Sequence, residues 1–122
     1  QAPAKRLLDD AENAQRIFNA LKAFDYVYLS GITLAILTDA SRDRLIAWLP
    51  EYREDGGKVI FDNNYRPRLW PSAEDARACY SDLYAMTDIA LPTFDDECLV
   101  FGRSSEDACL QRLLDAGISE IV

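Results

Sequence analysis

Side chains able to hold a ligand are concentrated in the ten residues from Phe61 to Trp70. The apolar pair Val59-Ile60 precedes them, so this segment is predicted to leave the end of a strand. Small anions and sugars usually bind where the strands of an open parallel sheet end, because a strand interior has no room for unpaired polar groups. Arg66 is the strongest candidate, since a guanidinium fork holds a carboxylate in one orientation.

A purely structural interpretation of the same segment is also open. Asp62 and Asn63 are suited to capping a turn, and Arg66 and Arg68 can be solvated surface side chains. The pair Leu69-Trp70 is expected to anchor the loop in the core, because large apolar side chains are usually buried for packing alone.

Two further segments follow predicted strands and carry glycine or polar residues. The pair Gly31-Ile32 follows an apolar strand, and Gly31 either permits close approach of a ligand or makes a turn that needs positive φ. After a later strand come Thr93 and three acidic residues, of which Asp95 is expected to cap a helix. Asp96 is instead suited to a hydrated magnesium ion, which prefers carboxylate and water oxygens.

Apolar spacing predicts four short strands separated by helices. The strands are predicted at residues 26–29, 58–61, 88–91 and 118–122. Helix starts are indicated at Ser41, at Ser72 and at Ser104 or Ser105. In the last helix, the residues expected to face inward are Leu110, Leu113 and Leu114. This alternation predicts an α/β fold: a parallel sheet of about four strands with right-handed crossovers and helices on both faces.

The composition argues against several classes of function. A formal net charge of −8 disfavours a nucleic acid or an anionic membrane as the main partner. The chain has no histidine, which removes histidine-centred triads and zinc sites from consideration. Cys79, Cys98 and Cys109 lack the close pairs of a zinc or redox motif. They are expected to be reduced thiols that pack as small core residues in a cytoplasmic protein.

The length of 122 residues predicts one compact unit. No apolar stretch approaches the length of a membrane span and no signal-peptide pattern is present, which predicts a soluble protein. The chain opens with Gln1-Ala2-Pro3 and stops at Ile121-Val122 inside a predicted strand, so we expect both ends to be cut. Open strand edges and exposed apolar helix faces would then favour association, for example as a homo-oligomer.

Three segments carry a resemblance to a known family: residues 24–37, residues 56–70, and residues 87–90 with the acidic run 95–97. Together they closely resemble the 2-keto-3-deoxygluconate kinases of the ribokinase-like (PfkB) sugar kinases. The resemblance covers nearly the whole chain. Its pattern Asp-x-Asn-x-Arg-x-x-Leu-Trp, at residues 62–70, is fairly specific for these kinases and their fructokinase relatives. The resemblance implies a three-layer sandwich, of which this chain is the central part of a single domain.

By that resemblance, the activity is transfer of a phosphoryl group from ATP to the terminal hydroxyl of 2-keto-3-deoxygluconate. The product would be 2-keto-3-deoxy-6-phosphogluconate, and Mg²⁺ would assist. Arg66 would hold the carboxylate end of the sugar acid, and the Gly31-Ile32 exit would line the sugar pocket. Asp62 and Asn64 would shape the loop that carries Arg66.

The resemblance also implies a metal site and a catalytic base. Thr93 and Asp96 align with an Asn-x-x-Glu motif that organises magnesium and phosphate, which keeps a carboxylate and loses an amide. The family's aspartate base lies in a Gly-Ala-Gly-Asp-like helix start that does not occur in this sequence, so the base is expected beyond Val122. By the same resemblance, the amino-terminal sugar-binding strands, the lid and the nucleotide loops are expected to lie outside this sequence. We expect the isolated chain not to turn over.

Three other classes of function stay open at this stage. A flavodoxin-like phosphoacceptor module would need an acidic pair after the first strand, where this chain has Ser30-Gly31. A dinucleotide-binding unit would need a glycine-rich turn, and Gly31 stands alone. A purely structural or interaction domain is the third alternative.

Overall fold

The structure, a computed structural model, describes residues 6–122. The helices are α1 (Ala11–Leu21), α2 (Gly31–Ile36), α3 (Asp39–Glu54), α4 (Ala73–Ala85), α5 (Phe94–Phe101) and α6 (Glu106–Asp115). The strands are β1 (Tyr26–Ser30), β2 (Lys58–Asp62), β3 (Ile89–Leu91) and β4 (Glu120–Ile121). A 3-10 turn covers Pro67–Leu69. Within residues 6–122, no helix combines the length and the apolar character needed to cross a membrane.

The four strands form one parallel sheet in the order β1-β2-β3-β4. The predicted α/β class and the four-stranded parallel sheet are therefore confirmed. Because each strand is added on the same side of the previous one, right-handed crossovers place the connecting helices on a single face. On the opposite face Tyr26 and Tyr28 are more than half exposed. The described residues thus cover one face of the sheet, whereas the sequence analysis expected helices on both.

The core lies between the covered face of the sheet and the helices, and it is rich in aromatic side chains. Phe61 of β2 meets Tyr80 and Tyr84 of α4 edge to face, with ring centroids 5.2 Å and 5.6 Å away. Further along, Phe18 of α1 stacks on Trp48 of α3 at 4.6 Å. Such pairs add to the free energy gained by burying the rings. Strand β2 and helix α4 are therefore tightly packed against each other next to the loop that follows β2.

Three predicted helix starts can be compared with the N-caps observed. The start expected at Ser104 or Ser105 is confirmed, because Ser105 caps α6 and its hydroxyl accepts from the Ala108 amide at 3.1 Å. Ser72 accepts a hydrogen bond from the Asp75 amide at 3.1 Å, so the predicted start of α4 is confirmed. The start predicted at Ser41 is wrong, because Thr38 is the N-cap of α3. Ser41 lies fully buried in the first turn, where its hydroxyl accepts from the Leu8 amide and donates to Asp9. The sequence pattern cannot distinguish a serine that caps a helix from one that, like Ser41, bonds to distant residues.

The inward face of α6 also differs from the prediction. Leu113 and Cys109 are buried, but Leu110 and Leu114 are 48% and 51% exposed. Cys109 and Leu113 are four residues apart and share one line along the helix, whereas Leu110 and Leu114 lie about 100° further round. The buried stripe therefore follows the line of Cys109 and Leu113, and Leu110 and Leu114 lie outside it.

The cysteines behave largely as the composition suggests. All three are free thiols, with Cys79 and Cys109 buried and Cys98 half-buried. Burial raises the pKa of Cys79 to about 12, so this thiol stays protonated and unreactive near neutral pH.

Gly31 is a close-packing position and not a turn residue. It begins α2 after the N-cap Ser30, and it is not among the described glycines with positive φ, so that alternative is wrong. A Cβ at this position would overlap the Tyr80 hydroxyl and the Asn64 carbonyl oxygen. The Tyr80 hydroxyl itself donates to the carbonyl oxygens of Asn63 and Asn64, at 2.9 Å and 3.3 Å. Gly31 therefore lets α2 approach α4 and the β2 exit.

At the amino edge of the sheet, Asp88 joins three strands. Its carboxylate accepts from Arg53 Nε and Nη2, at 3.2 Å and 2.8 Å, and from the Val59 amide at 2.9 Å. Its backbone carbonyl accepts from the amides of Ser119 and Glu120. Burial opposes ionisation, but the hydrogen bonds from Arg53 and Val59 outweigh it and lower the pKa of Asp88 below 3.8. Asp88 therefore ties β2, β3 and β4 together on the edge opposite the predicted site.

We predict that Asp88→Asn lowers the free energy of unfolding by about 1–3 kcal/mol, because charge-assisted hydrogen bonds are lost. Since the folded-state pKa lies below the unfolded one, the stabilisation is present above pH 3.8 and is lost as pH falls through the folded value. Urea unfolding at several pH values checks this. The exposed Asp82→Asn is the matched control, and an equal loss in both variants would contradict the role of Asp88.

We also predict that Gly31→Ala costs about 1–3 kcal/mol of unfolding free energy through overpacking. In a Tyr80→Phe background the added methyl group meets no hydroxyl, so the same change should cost less. Urea unfolding of the four proteins in this double-mutant cycle measures the difference. Equal costs in the two backgrounds would show that the Tyr80 hydroxyl does not limit the space at Gly31.

Candidate functional site

The three strand exits lie at one edge of the sheet, as their parallel register requires. Ser30, Asp62 and Leu91 are aligned at the carboxyl ends of β1, β2 and β3. Beyond them, Ile32 and Arg66 line one open cavity of about 400 Å³, together with Pro67, Arg68 and Leu69. The predicted convergence at a common edge is therefore observed for the exits of β1 and β2. The exit of β3 is joined to the β2 exit by hydrogen bonds between Asn63 and Thr93.

The start of the β2 exit loop is shaped by Asp62 and Asn64. Asp62 Oδ1 accepts from the Asn64 amide at 3.1 Å, which is the turn-capping role open to it in the sequence analysis. Asp62 Oδ2 accepts from the Tyr28 hydroxyl at 2.8 Å, and this hydrogen bond raises the pKa of Tyr28. Asn64 Oδ1 accepts from Arg66 Nη1 at 3.1 Å. The loop thus holds the exposed Arg66 side chain at the wall of the cavity.

Asn63 is the residue that joins the second and third exits. It is only 1% exposed and its side chain bonds to residues at least 30 positions away, so the interpretation of Asn63 as a turn cap is wrong. Its Nδ2 donates to the Thr93 carbonyl at 3.0 Å and to Glu97 Oε2 at 2.9 Å, and its Oδ1 accepts from the Thr93 amide at 2.9 Å. The side-chain amide therefore pairs with both backbone groups of Thr93 and places that residue next to the β2 exit.

Glu97 is the functional candidate that sequence reasoning missed. Its carboxylate is 1% exposed and accepts from Asn63, from the Tyr84 hydroxyl and from Arg112 Nη1 at 3.1 Å. Burial and the neighbouring Glu97 charge both raise the pKa of Tyr84, which keeps its hydroxyl a donor. The available signal was the spacing of Glu97 from Val100 and Phe101, because positions three and four residues apart share a helix face.

Asp96 and Thr93 are the two residues that the sequence analysis expects to contribute to a magnesium site. Asp96 Oδ2 accepts from the Tyr65 amide at 3.3 Å, so this carboxylate holds the backbone of the β2 exit loop. Thr93 is exposed and its backbone groups are bound to Asn63. Among residues 6–122, no three carboxylate or thiol groups are grouped closely enough to hold a metal ion. Asp96 fits as one oxygen donor to a hydrated cation, which would take its other donors elsewhere.

The two hydrophobic residues at the end of the loop separate in the structure. Trp70 is buried and lies under the Arg42 guanidinium, whose carbon is 5.0 Å from the ring centroid. Arg42 also donates to the carbonyl oxygens of Leu34 and Leu37, so Trp70 and the end of α2 share one support. Leu69 is 42% exposed and lines the cavity, so its prediction as a core anchor is wrong.

Comparison with known proteins identifies relatives of this chain. A model of the pfkB family carbohydrate kinases matches residues 4–122. The 2-dehydro-3-deoxygluconokinase of Dickeya dadantii is 52% identical over 119 residues, which cover 98% of this chain and 38% of that protein. The enzyme of the same name from Escherichia coli K12 is 47% identical over 122 residues, covering 100% of this chain and 39% of that protein.

A solved structure shows the same fold. The PfkB protein from Polaromonas sp. JS666 superposes with a TM-score of 0.72 at 23% identity, over 83% of this chain and 34% of that one. This chain spans less than two fifths of the length of the two curated relatives. With the family match extending over nearly all its residues, the chain belongs to the pfkB family of carbohydrate kinases.

Proposed function

We propose that this chain is the central segment of a kinase that phosphorylates 2-keto-3-deoxygluconate, also called 2-dehydro-3-deoxygluconate, on its terminal hydroxyl. The observation that carries the proposal is Arg66, aimed by Asn64 along the wall of a cavity shared with Ile32. A sugar acid differs from a neutral sugar by its carboxylate, and a guanidinium fork is the side chain best suited to recognise that group. The names of the two bacterial relatives support this substrate.

The charge around the cavity also favours an anionic substrate. Arg66 and Arg68 both line it, although the whole chain carries a net charge of −8. A local positive field at a concave surface attracts an anion even on an acidic protein. Ile32 and Leu69 supply apolar wall against which the carbon chain of a sugar can lie. We propose that Gly31 contributes by letting α2 bring Ile32 close to Arg66.

ATP and Mg²⁺ are the proposed co-substrate and metal, as for the family. When bound, magnesium would offset the charge of the transferring phosphoryl group. In this segment Asp96, with Thr93 beside it, is the proposed contributor of oxygen ligands, and the catalytic aspartate is proposed to lie beyond Val122. The amino-terminal sugar-binding strands, the lid and the ATP site are proposed for the remaining parts of the same domain.

We propose a cytoplasmic location and a homo-oligomeric state for the complete protein. Three free thiols are typical of a reducing compartment. No nucleic acid or membrane is proposed as a partner, because the charge balance is acidic.

We predict that Arg66→Ala in the complete kinase raises KM for 2-keto-3-deoxygluconate about 10- to 100-fold, as expected for loss of a charge-assisted hydrogen bond. Arg66→Lys should recover only part of this loss, since a lysine lacks the planar fork. KM for ATP should stay within about twofold. Steady-state kinetics with each substrate varied in turn measure these values.

Arg16→Ala is the matched control, because it removes the same charge from the exposed surface of α1. A loss confined to ATP, or an equal effect of the control, would contradict the proposed role of Arg66. A higher kcat/KM for fructose than for the sugar acid would instead indicate a fructokinase.

A further inference from the structure

We propose that Glu97 is a positioning residue that acts through Asn63 on Arg66. The proposal rests on the proposed function of Arg66 and adds a buried component to the site. Glu97 does not line the cavity next to Arg66, and it is buried below the strand exits. Its influence on the substrate would be exerted entirely through hydrogen bonds and the loop backbone.

The contacts run without a break from Glu97 to the loop. Glu97 Oε2 accepts from Asn63 Nδ2 at 2.9 Å, and the next residue, Asn64, accepts from Arg66 at 3.1 Å. The Asn63 carbonyl is held by the Tyr80 hydroxyl at 2.9 Å, so the backbone between these side chains is bound as well. A displacement of the Asn63 side chain therefore moves the residue that aims Arg66.

Glu97 and both backbone groups of Thr93 together fix which way the Asn63 amide is turned. In the observed orientation Nδ2 faces two acceptors, the Thr93 carbonyl and the Glu97 carboxylate, while Oδ1 faces the Thr93 amide. The reversed orientation would place Oδ1 against both acceptors and Nδ2 against a donor. A buried carboxylate makes that reversal especially unfavourable, because charge-assisted hydrogen bonds are the strong ones.

Two donors hold the Glu97 carboxylate in place from other elements. The Tyr84 hydroxyl approaches from α4, and Arg112 approaches from α6 with its side chain 30% exposed. The Arg112 guanidinium also lies 4.5 Å from the Phe101 ring centroid. A well-packed apolar group would often be at least as stabilising as a buried ion pair. We therefore assign the network to orientation of the loop and not to stability.

The proposal is tested in the complete kinase with Glu97→Ala, Glu97→Gln and Tyr84→Phe. Leu83→Ala is the matched control, because Leu83 is fully buried on the same helix as Tyr84 and has an apolar side chain. Amide hydrogen exchange at Asn64 and Tyr65 measures the loop, and steady-state kinetics measure the site. Tyr84→Phe keeps the ring in the core, so it remains informative if Glu97→Ala does not fold.

We expect Glu97→Ala and Tyr84→Phe to speed exchange at Asn64 and Tyr65 more than the control does. KM for the sugar acid should rise about three- to tenfold, while KM for ATP and kcat stay within about twofold. Glu97→Gln, which keeps an acceptor for Asn63, should lie between Glu97→Ala and the parent enzyme. In an Arg66→Ala background the effect of Glu97→Ala on KM should disappear.

Unchanged exchange at both amides, relative to Leu83→Ala, would overturn the inference whatever the kinetics. Persistence of the full Glu97→Ala effect on KM in the Arg66→Ala background would also overturn it, because the network would then act by another route. A KM for the sugar acid that Arg66→Ala leaves unaltered would refute the proposed function itself. The two failures are therefore distinguished by different variants.

Discussion

The side-chain amide of Asn63 is the constraint on which the carboxyl edge of the sheet depends. Backbone pairing between β2 and β3 stops at Asp62 and Leu91, and beyond it the main-chain groups need other partners. Asn63 supplies them by pairing with both the amide and the carbonyl of Thr93. A side chain thus replaces the next residue of a strand. The segments that follow β2 and β3 are therefore held together beyond the point where the backbone pairing of the two strands ends.

The opposite edge of the sheet uses a related device with a different chemical group. There Asp88 accepts the Val59 amide and is held by Arg53, so a charged side chain extends the pairing of β2 and β3 at their amino ends. Arg53 is about one third exposed, whereas Asn63 is buried beneath the site. The amino edge therefore has a charged, pH-sensitive link, and the carboxyl edge is joined by a buried side-chain amide.

Much of this arrangement could be predicted from the sequence because it follows from local patterns. The branched residues of β2, the capping pair at Ser72 and the alternation of elements were enough for the parallel sheet and for the side on which Ile32 and Arg66 lie. Glu97 could not be assigned in this way. Its burial depends on Tyr84 and Arg112, which come from other helices, so the acidic run before it resembled a solvated helix start.

The exposure of Leu110 and Leu114 could not be predicted for a related reason. Helical spacing shows that an apolar stripe exists, but the neighbouring elements decide where its centre lies. On α6 the stripe of three leucines is wider than the buried surface available among the described residues, which is centred on Leu113. The same ambiguity applies to Leu69, whose apolar character predicted burial while its position in the 3-10 turn exposes it.

The choice of an amide to aim Arg66 has an electrostatic consequence. Had the guanidinium been oriented by the nearby Asp62, the ion pair would have neutralised the charge needed to attract a carboxylate. Asp62 is instead engaged by the Tyr28 hydroxyl and the Asn64 amide. Asn64 accepts a single N–H from Arg66 and adds no charge, so Arg66, which lines the cavity, keeps its positive charge and its other N–H donors. Orientation without neutralisation suits the carboxylate-binding role proposed for Arg66 on a chain of net charge −8.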